Sequence, residues 1–376
     1  MRRAAWLRAG GLLPRGRAAA PAALRLRAGF SSFVPNDADH RPAIEISMGA
    51  PPPASLPDPF ALASGQLRPL DHSLKELVGS DHPVLTRVAQ HFFELAGKRF
   101  RPTVVLLASA AAAGGGEPPN ARQLRLAEIT EMIHAASLLH DDVIDVADTR
   151  RGKRAVHRIY GNKIAVLAGD FLLARASVLL SRLGDVKVVE LLATVIEEMV
   201  QGELMQIKAQ PHELLEFEHY LSKTYRKTAA LMSLSCQATA LLGEQPVAVE
   251  HALRDYGRHL GVAYQIVDDL LDFTGSSDAL GKPAESDMEQ GHATAPTLFA
   301  AEEFPEIEEI VQRRFSEKGD VALVSSLVSR SAGVERSKEL ANSHARRAAA
   351  ALGALPPSAQ RDALLRLIFD VLNRKA

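Results

Sequence analysis

Two stretches of this chain, residues 124–145 and 257–273, are apolar around most of a helical circumference, and each runs out in a cluster of carboxylates. A helix that is apolar on nearly every side cannot lie on a surface and has to be wrapped by other helices. That requirement selects a helical bundle. The rest of the chain supplies the wrapping. From Pro69 to the C-terminus helical periodicity runs almost without interruption and strand-like alternation is absent. Stretches rich in Ala, Leu, Glu, Arg and Lys are cut at short intervals, as at 114–120, Gly184, Gln210-Pro211, 243–246, 275–283 and Pro356-Pro357. Short breaks join antiparallel neighbours. With 47% apolar and 24% charged residues the chain can fill such a core. A single all-α domain over 69–376 is expected.

The first residues are of a different kind. Arg2, Arg3, Arg8, Arg15, Arg17, Arg25 and Arg27 stand among alanines with no acidic side chain before Asp37, and the arginines interrupt every apolar stretch. A secretory signal needs one continuous apolar run, so this pattern predicts a mitochondrial targeting presequence over 1–35, with the plastid as the alternative. Pro51, Pro52, Pro53, Pro57 and Pro59 then predict a Pro-rich linker over 36–68. The one cysteine, Cys236, excludes an intrachain disulfide and any cysteine-built zinc or iron–sulfur site. Lys and Arg number 44 against 45 Asp and Glu, a net charge of −1, which gives no sign of a nucleic-acid partner. No run reaches the roughly 18 to 20 apolar residues that span a bilayer, so no transmembrane segment is expected.

The chemistry lies where the two buried helices end. In Leu138-Leu139-His140-Asp141-Asp142-Val143-Ile144-Asp145, the carboxylates of Asp141 and Asp145 are four residues apart and stack on one helical face, with Asp142 about 100° away. One such cluster could equally be a solvated acidic helix end. The same Asp-Asp-x-x-Asp spacing recurs, however, at Asp268, Asp269 and Asp272. Two carboxylate pairs at the ends of apolar helices repel unless cations lie between them. Oxygen ligands without His or Cys select a hard ion, and Mg²⁺, which bridges to phosphate, fits. Cationic clusters accompany the aspartates: Gly97-Lys98-Arg99-Phe100-Arg101-Pro102, Asp148-Thr149-Arg150-Arg151-Gly152-Lys153, Lys227-Thr228 and Gly281-Lys282. Any one of these is more often a solvated helix end; together with both aspartate motifs they imply two diphosphates.

In this order the motifs, with Gly169-Asp170 between them, resemble the trans-type (E-) polyprenyl diphosphate synthases. Residues 161–173 are most similar to the long-chain members typified by plant solanesyl diphosphate synthases. The resemblance runs from about Lys98 to Phe299 and implies an isoprenoid-synthase-type helical bundle around a central cavity, usually a homodimer. It implies catalytic and metal-binding roles for Asp141, Asp145 and Asp268, with Asp272 as a further metal ligand, on about three Mg²⁺ ions. Lys98, Arg101, His134 and Arg151 are implied to hold isopentenyl diphosphate. Arg150, Lys227 and Lys282 are implied to hold the allylic diphosphate, farnesyl or geranylgeranyl, with Lys227 also catalytic and Thr228 beside it.

His134 lies two turns before Asp141 on the same face, although a lone helical histidine is more often a core residue. Gln265, three before Asp268 and seven before Asp272, shares their face and is expected as a polar contact for the same headgroup. Ala136 and Ser137, five and four residues before Asp141, leave open the floor where short-chain relatives place aromatic rings. That implies a product of about 40 to 50 carbons, C45 as the best single value, with Ala136 roughly 7.5 Å below the metals. His292 and His157 depart from common family residues. The alternatives are a terpene cyclase, which usually has a different second motif, and a non-catalytic partner subunit, which typically loses aspartates from one motif. A mitochondrial long-chain synthase would serve the ubiquinone side chain from the matrix.

Overall fold

The structure, a computed structural model, describes residues 45–79, 81–94, 99–150, 152–274 and 285–374. The presequence expected over 1–35 and three expected site residues, Lys98, Arg151 and Lys282, lie outside them. The long helices are α1 Pro59–Leu77, α2 Pro83–Glu94, α3 Phe100–Ala112, α4 Ala121–Ile144, α5 Asn162–Ser181, α6 Val186–Lys208, α7 Phe217–Thr224, α8 Ala230–Leu242, α9 Val247–Thr274, α10 Gly333–Ala351 and α11 Ala359–Leu372. The fold is all-α, as the periodicity requires. Its one departure among the described residues is a two-stranded antiparallel ribbon, Thr149–Arg150 against Lys153–Arg154, that turns back just after the first aspartate motif.

The two apolar helices are the inner ones. Helix α4 is buried along most of its length, with Leu126, Ile129, Met132 and Leu139 at no measurable exposure, and packs on α5 and α3. Its start is fixed by a capping box: Asn120 Oδ1 accepts from the backbone N–H groups of Arg122 and Gln123, and Gln123 Oε1 accepts from Asn120 N at 2.9 Å. Helix α9 lies backbone to backbone against α8. A Cβ added at Gly257 would stand 2.5 Å from Met232 O, and one at Gly261 2.6 Å from Ala229 Cα, so these positions admit only glycine at this separation. That contact places Gln265, one turn past Gly261, against Thr228.

Two expectations need correction. The linker expected over 36–68 ends by residue 58, because Pro59 is the first residue of α1 and Asp58 Oδ1 caps it by accepting from Ala61 N at 2.8 Å. Proline suits the first helical position, where its missing N–H is not needed, and Pro69 is accommodated inside the same helix. Residues 46–56 are also docked: Ile46 and Leu56 are buried, and Met48 N donates to Asn342 Oδ1 at 2.8 Å. Secondly, α5 is long and apolar enough to cross a membrane by length and composition. In the fold it is a bundle helix with one face on α4, and it carries Lys163, Asp170 and Arg175.

Candidate active site

The first aspartate motif occupies the last turn of α4. Asp145 caps that helix, its N–H donating to Asp141 O at 2.8 Å. The end is held in place by His140, whose Nε2 donates to Val166 O of α5 at 3.1 Å. Gly169 is needed there, since its Cβ would lie 2.2 Å from the His140 ring. Burial pushes the Asp141 carboxyl up to about 6; Glu203 and Asp145 add to the rise, and Lys227 and Arg150 oppose it. Asp145 is raised by burial and by Glu203. Carboxylates at a helix C-terminus also face the negative end of the macrodipole. Both therefore gain from a cation. Asp142 is buried on the other side and pairs with Arg150, whose Nε donates to Asp142 Oδ1 at 2.8 Å. The ribbon thus returns Arg150 to the motif it follows.

The second motif, at the end of α9, divides its work. Asp268 is half-exposed, its side chain 49% accessible. Asp269 is buried and accepts from Tyr220 OH at 2.6 Å and from Gln265 Nε2 at 2.9 Å. Asp272, expected among the metal ligands, is 1% exposed and accepts from Ser286 Oγ at 2.9 Å and Asp287 N at 3.1 Å. It fastens the short helix Ser286–Glu289 to α9 instead of sharing an open face with Asp268. The residues that cover Asp272 come from later in the chain.

Between the motifs runs a π-helical turn, Tyr225–Ala229, a wider winding often found at functional sites. It carries Lys227 and Thr228. Lys227 Nζ pairs with Glu203 Oε2 of α6 at 2.5 Å, and Gly202 admits the lysine stem, which a Cβ there would meet at 2.8 Å. Thr228 Oγ1 donates to Gln265 Oε1 at 2.8 Å. Gln265 therefore ties the Lys-Thr turn to Asp269 with both ends of its amide. Lys223, one turn before Lys227, is influenced by Asp269 and Glu203 as well as Lys227, so the cations of this turn connect the two aspartate motifs electrostatically. His292 is neutral here, held down to about 3 by burial and by Lys223, Lys227 and Arg314.

On the other flank Arg101 NH1 meets His134 Nε2 at 2.9 Å. Arg99, in the same basic cluster, is taken by the fold: it bridges Asp71 of α1 at 2.7 Å and Glu131 of α4 at 3.0 Å from a left-handed backbone, φ 50°. Of the two expected floor positions, Ser137 is half-buried on the side of Asp141, whereas Ala136 has no accessible surface and belongs to the core. Sequence reading missed Glu203, Tyr220 and Lys223. A glycine inside a helix costs about 1 kcal/mol, and Gly202 next to Glu203 was the one local sign.

The donor set fits a hard divalent cation. Among the described residues no three His, Cys, Asp or Glu side chains converge on one point. A carboxylate or two with the rest of the shell left to water and phosphate is how proteins usually hold Mg²⁺.

Residues 82–328 match the Polyprenyl synthetase family. The mitochondrial solanesyl-diphosphate synthase 1 of Oryza sativa subsp. japonica is 45% identical over 334 residues, 84% of this chain and 78% of that one. The chloroplastic/mitochondrial solanesyl diphosphate synthase 3 of Arabidopsis thaliana is 44% identical over 338 residues, 84% and 80% of the two chains. Among solved structures, the polyprenyl synthase of Caulobacter crescentus, complexed with calcium and isoprenyl diphosphate, superposes with a TM-score of 0.78 at 34% identity, over 85% of this chain and 97% of that one.

Proposed function

The chain belongs to the polyprenyl synthetase family, and from that premise we propose how its site makes a long-chain product and which product that is. The protein is a prenyltransferase, a long-chain trans-polyprenyl diphosphate synthase that joins isopentenyl diphosphate to an allylic diphosphate. The single observation that carries the reading of its site is the Lys227-Thr228 turn: Lys227 acts electrostatically on Asp141 and Asp145, while Thr228 bonds Gln265, which in turn bonds Asp269.

Asp141, Asp145 and Asp268 would hold Mg²⁺, about three ions per site. Mg²⁺, when bound, neutralises charge on the departing diphosphate. Arg150, Lys227 and Lys282 grip the same group, and Thr228 and Gln265 orient the turn. As the allylic C–O bond breaks, their charges stabilise the leaving group. Lys98, Arg101, His134 and Arg151 hold isopentenyl diphosphate so that its double bond meets the allylic cation, and positioning supplies much of the rate. Loss of a proton from the new cation to the departed diphosphate forms the new double bond and completes each five-carbon extension. With farnesyl or geranylgeranyl diphosphate as primer, the product is about 40 to 50 carbons long, C45 by preference, on the analogy of the solanesyl synthases. The test is incubation of residues 36–376 with isopentenyl diphosphate, Mg²⁺ and each primer. Products of about 45 carbons are expected, and a product ending near C20 would refute the length assignment.

The enzyme is mitochondrial, and we place it in the matrix with residues 1–35 as its address and the ubiquinone side chain as its destination. Fused to a fluorescent passenger, those residues are expected to carry it into mitochondria; plastid accumulation would overturn this. A homodimer is supported by apolar side chains left uncovered on α5 and α6, namely Val166, Leu167 and Val178 on the first and Val200, Leu204 and Ile207 on the second. Replacing Leu167 and Leu204 together by Glu is expected to shift the sedimentation coefficient from dimer to monomer. An unchanged coefficient would exclude these faces as the interface.

A further inference from the structure

Asp268 has a cation on it that no aspartate-motif reading anticipates. Arg374, beyond the end of α11, donates from NH2 to Asp268 Oδ1 at 2.9 Å and to Tyr264 O at 2.9 Å, and its guanidinium carbon stands 3.8 Å from the centre of the Tyr264 ring. The other neighbour of that ring is Phe100, from the Arg99-Phe100-Arg101 cluster, at 5.4 Å between centroids. Arg374 is thus fastened at three points, with its side chain only 12% exposed. A guanidinium cannot lose its charge at any working pH, so it neutralises Asp268 permanently while it stays there.

The residue before it explains how the segment past α11 reaches this place. Asn373 Oδ1 accepts from Gly49 N at 2.7 Å, and its Nδ2 donates to Ala50 O at 2.9 Å and to Phe369 O at 3.0 Å. Residues 48–50 are in turn held at Asn342. The segment ahead of α1 therefore clips the last described residues of the chain to the body one position before Arg374.

We propose that Arg374 is a positioning residue of this site: it holds the Asp268 carboxylate until a divalent cation takes it, and the clip at residues 48–50 sets its reach. The inference rests on the reading of Asp268 as a cation ligand. A cation that binds Oδ1 competes with the guanidinium for the same lone pairs, so the ion pair sets a threshold for metal entry and keeps Asp268 aimed in the meantime.

The test is a calorimetric titration of the full chain with Mg²⁺ alone, without substrate. Removing a competing, partly exposed ion pair by Arg374→Gln is expected to tighten Mg²⁺ binding about two- to fivefold. Arg374→Lys, which keeps the charge but loses the planar fork stacked on Tyr264, should give an affinity between those of Arg374→Gln and the unmodified protein. Asn373→Ala, which keeps the guanidinium but opens the clip, should shift it in the same direction as Arg374→Gln. Hydrogen exchange supplies a readout independent of affinity: amides 369–374 should exchange faster on adding Mg²⁺, and this response should vanish in Asp268→Asn. If Asp268→Asn weakens Mg²⁺ binding while Arg374→Gln leaves it unchanged or weaker, the positioning role is wrong and the ligand reading stands. If Asp268→Asn leaves Mg²⁺ binding untouched, the ligand reading itself fails.

Discussion

Asp141→Ala and Asp268→Ala are each expected to lower turnover at least about a thousandfold while leaving the helical circular dichroism spectrum intact. The magnitude follows from removing a group that stabilises charge only as the diphosphate departs. The intact fold follows from the surroundings. Asp268 is half-exposed, and Asp141 is a carboxylate that burial has already made uncomfortable, up to about 6 from an ordinary 3.8. A carboxyl group raised on folding contributes stability that is fully present below its unfolded value and lost as pH rises through the folded one. Without Mg²⁺, the thermal midpoint should therefore fall between about pH 4 and pH 6 by an increment that Asp141→Asn lacks, and at pH 8 the Asn variant should melt no lower than the unmodified protein. Both Ala variants retaining more than a few per cent of turnover would refute the assignment of these aspartates. Asp269→Ala should behave differently, because it strands Tyr220 OH and Gln265 in a buried place, and a measurable fall in melting temperature is expected with it.

The length of the product should respond to Ser137. This residue stands one turn before Asp141 and is half-buried on the same side, so a tail running back along α4 from the diphosphate meets it early. A phenyl ring there should cut the product from about 45 carbons to about 15 or 20, with the first condensation preserved, since Ser137 offers the site only a hydroxyl that already donates to His134 O. Ala136 provides the contrast. It has no accessible surface, and a ring forced into that close-packed position displaces neighbours at a cost of about 1 to 3 kcal/mol. Ala136→Phe is therefore expected to lower the melting temperature. Truncation by Ala136→Phe without loss of stability would show that the tail passes on its side of α4 instead. Full-length product from Ser137→Phe would remove Ser137 from the tail's path.

The aspartate pairs were legible because they are local. A four-residue spacing on a strongly apolar helix fixes which face Asp141 and Asp145 share, and no distant residue intervenes. The same spacing relates Asp268 to Asp272 but does not give their surroundings. Ser286 and Asp287 fold back over Asp272, and helical periodicity carries no information about what later chain covers a face. Arg99 and Arg101 read alike in sequence as two cations of one cluster. Only the approach of α1 and α4 sends Arg99 to Asp71 and Glu131 and leaves Arg101 beside His134. The proline run before α1 read as a spacer because proline excludes helix interiors, but it also starts helices, and asparagines nearly 300 or more positions later hold the residues ahead of it.

By itself, then, the sequence determined the all-α bundle, the two buried helices, and the hard-cation, diphosphate character of the place where they end. Apolar circumference, residue charge and short-range spacing carry all of these. The tertiary structure decided which carboxylates stay available and which are consumed as braces, and it brought Glu203 and Arg374 to Lys227 and Asp268. Those outcomes depend on backbone approach at Gly202, Gly257 and Gly261 and on the segment ahead of α1 meeting Asn373 past α11. Such contacts join residues far apart in the chain, and the free energy of each is set by the burial and geometry that only the packed molecule supplies.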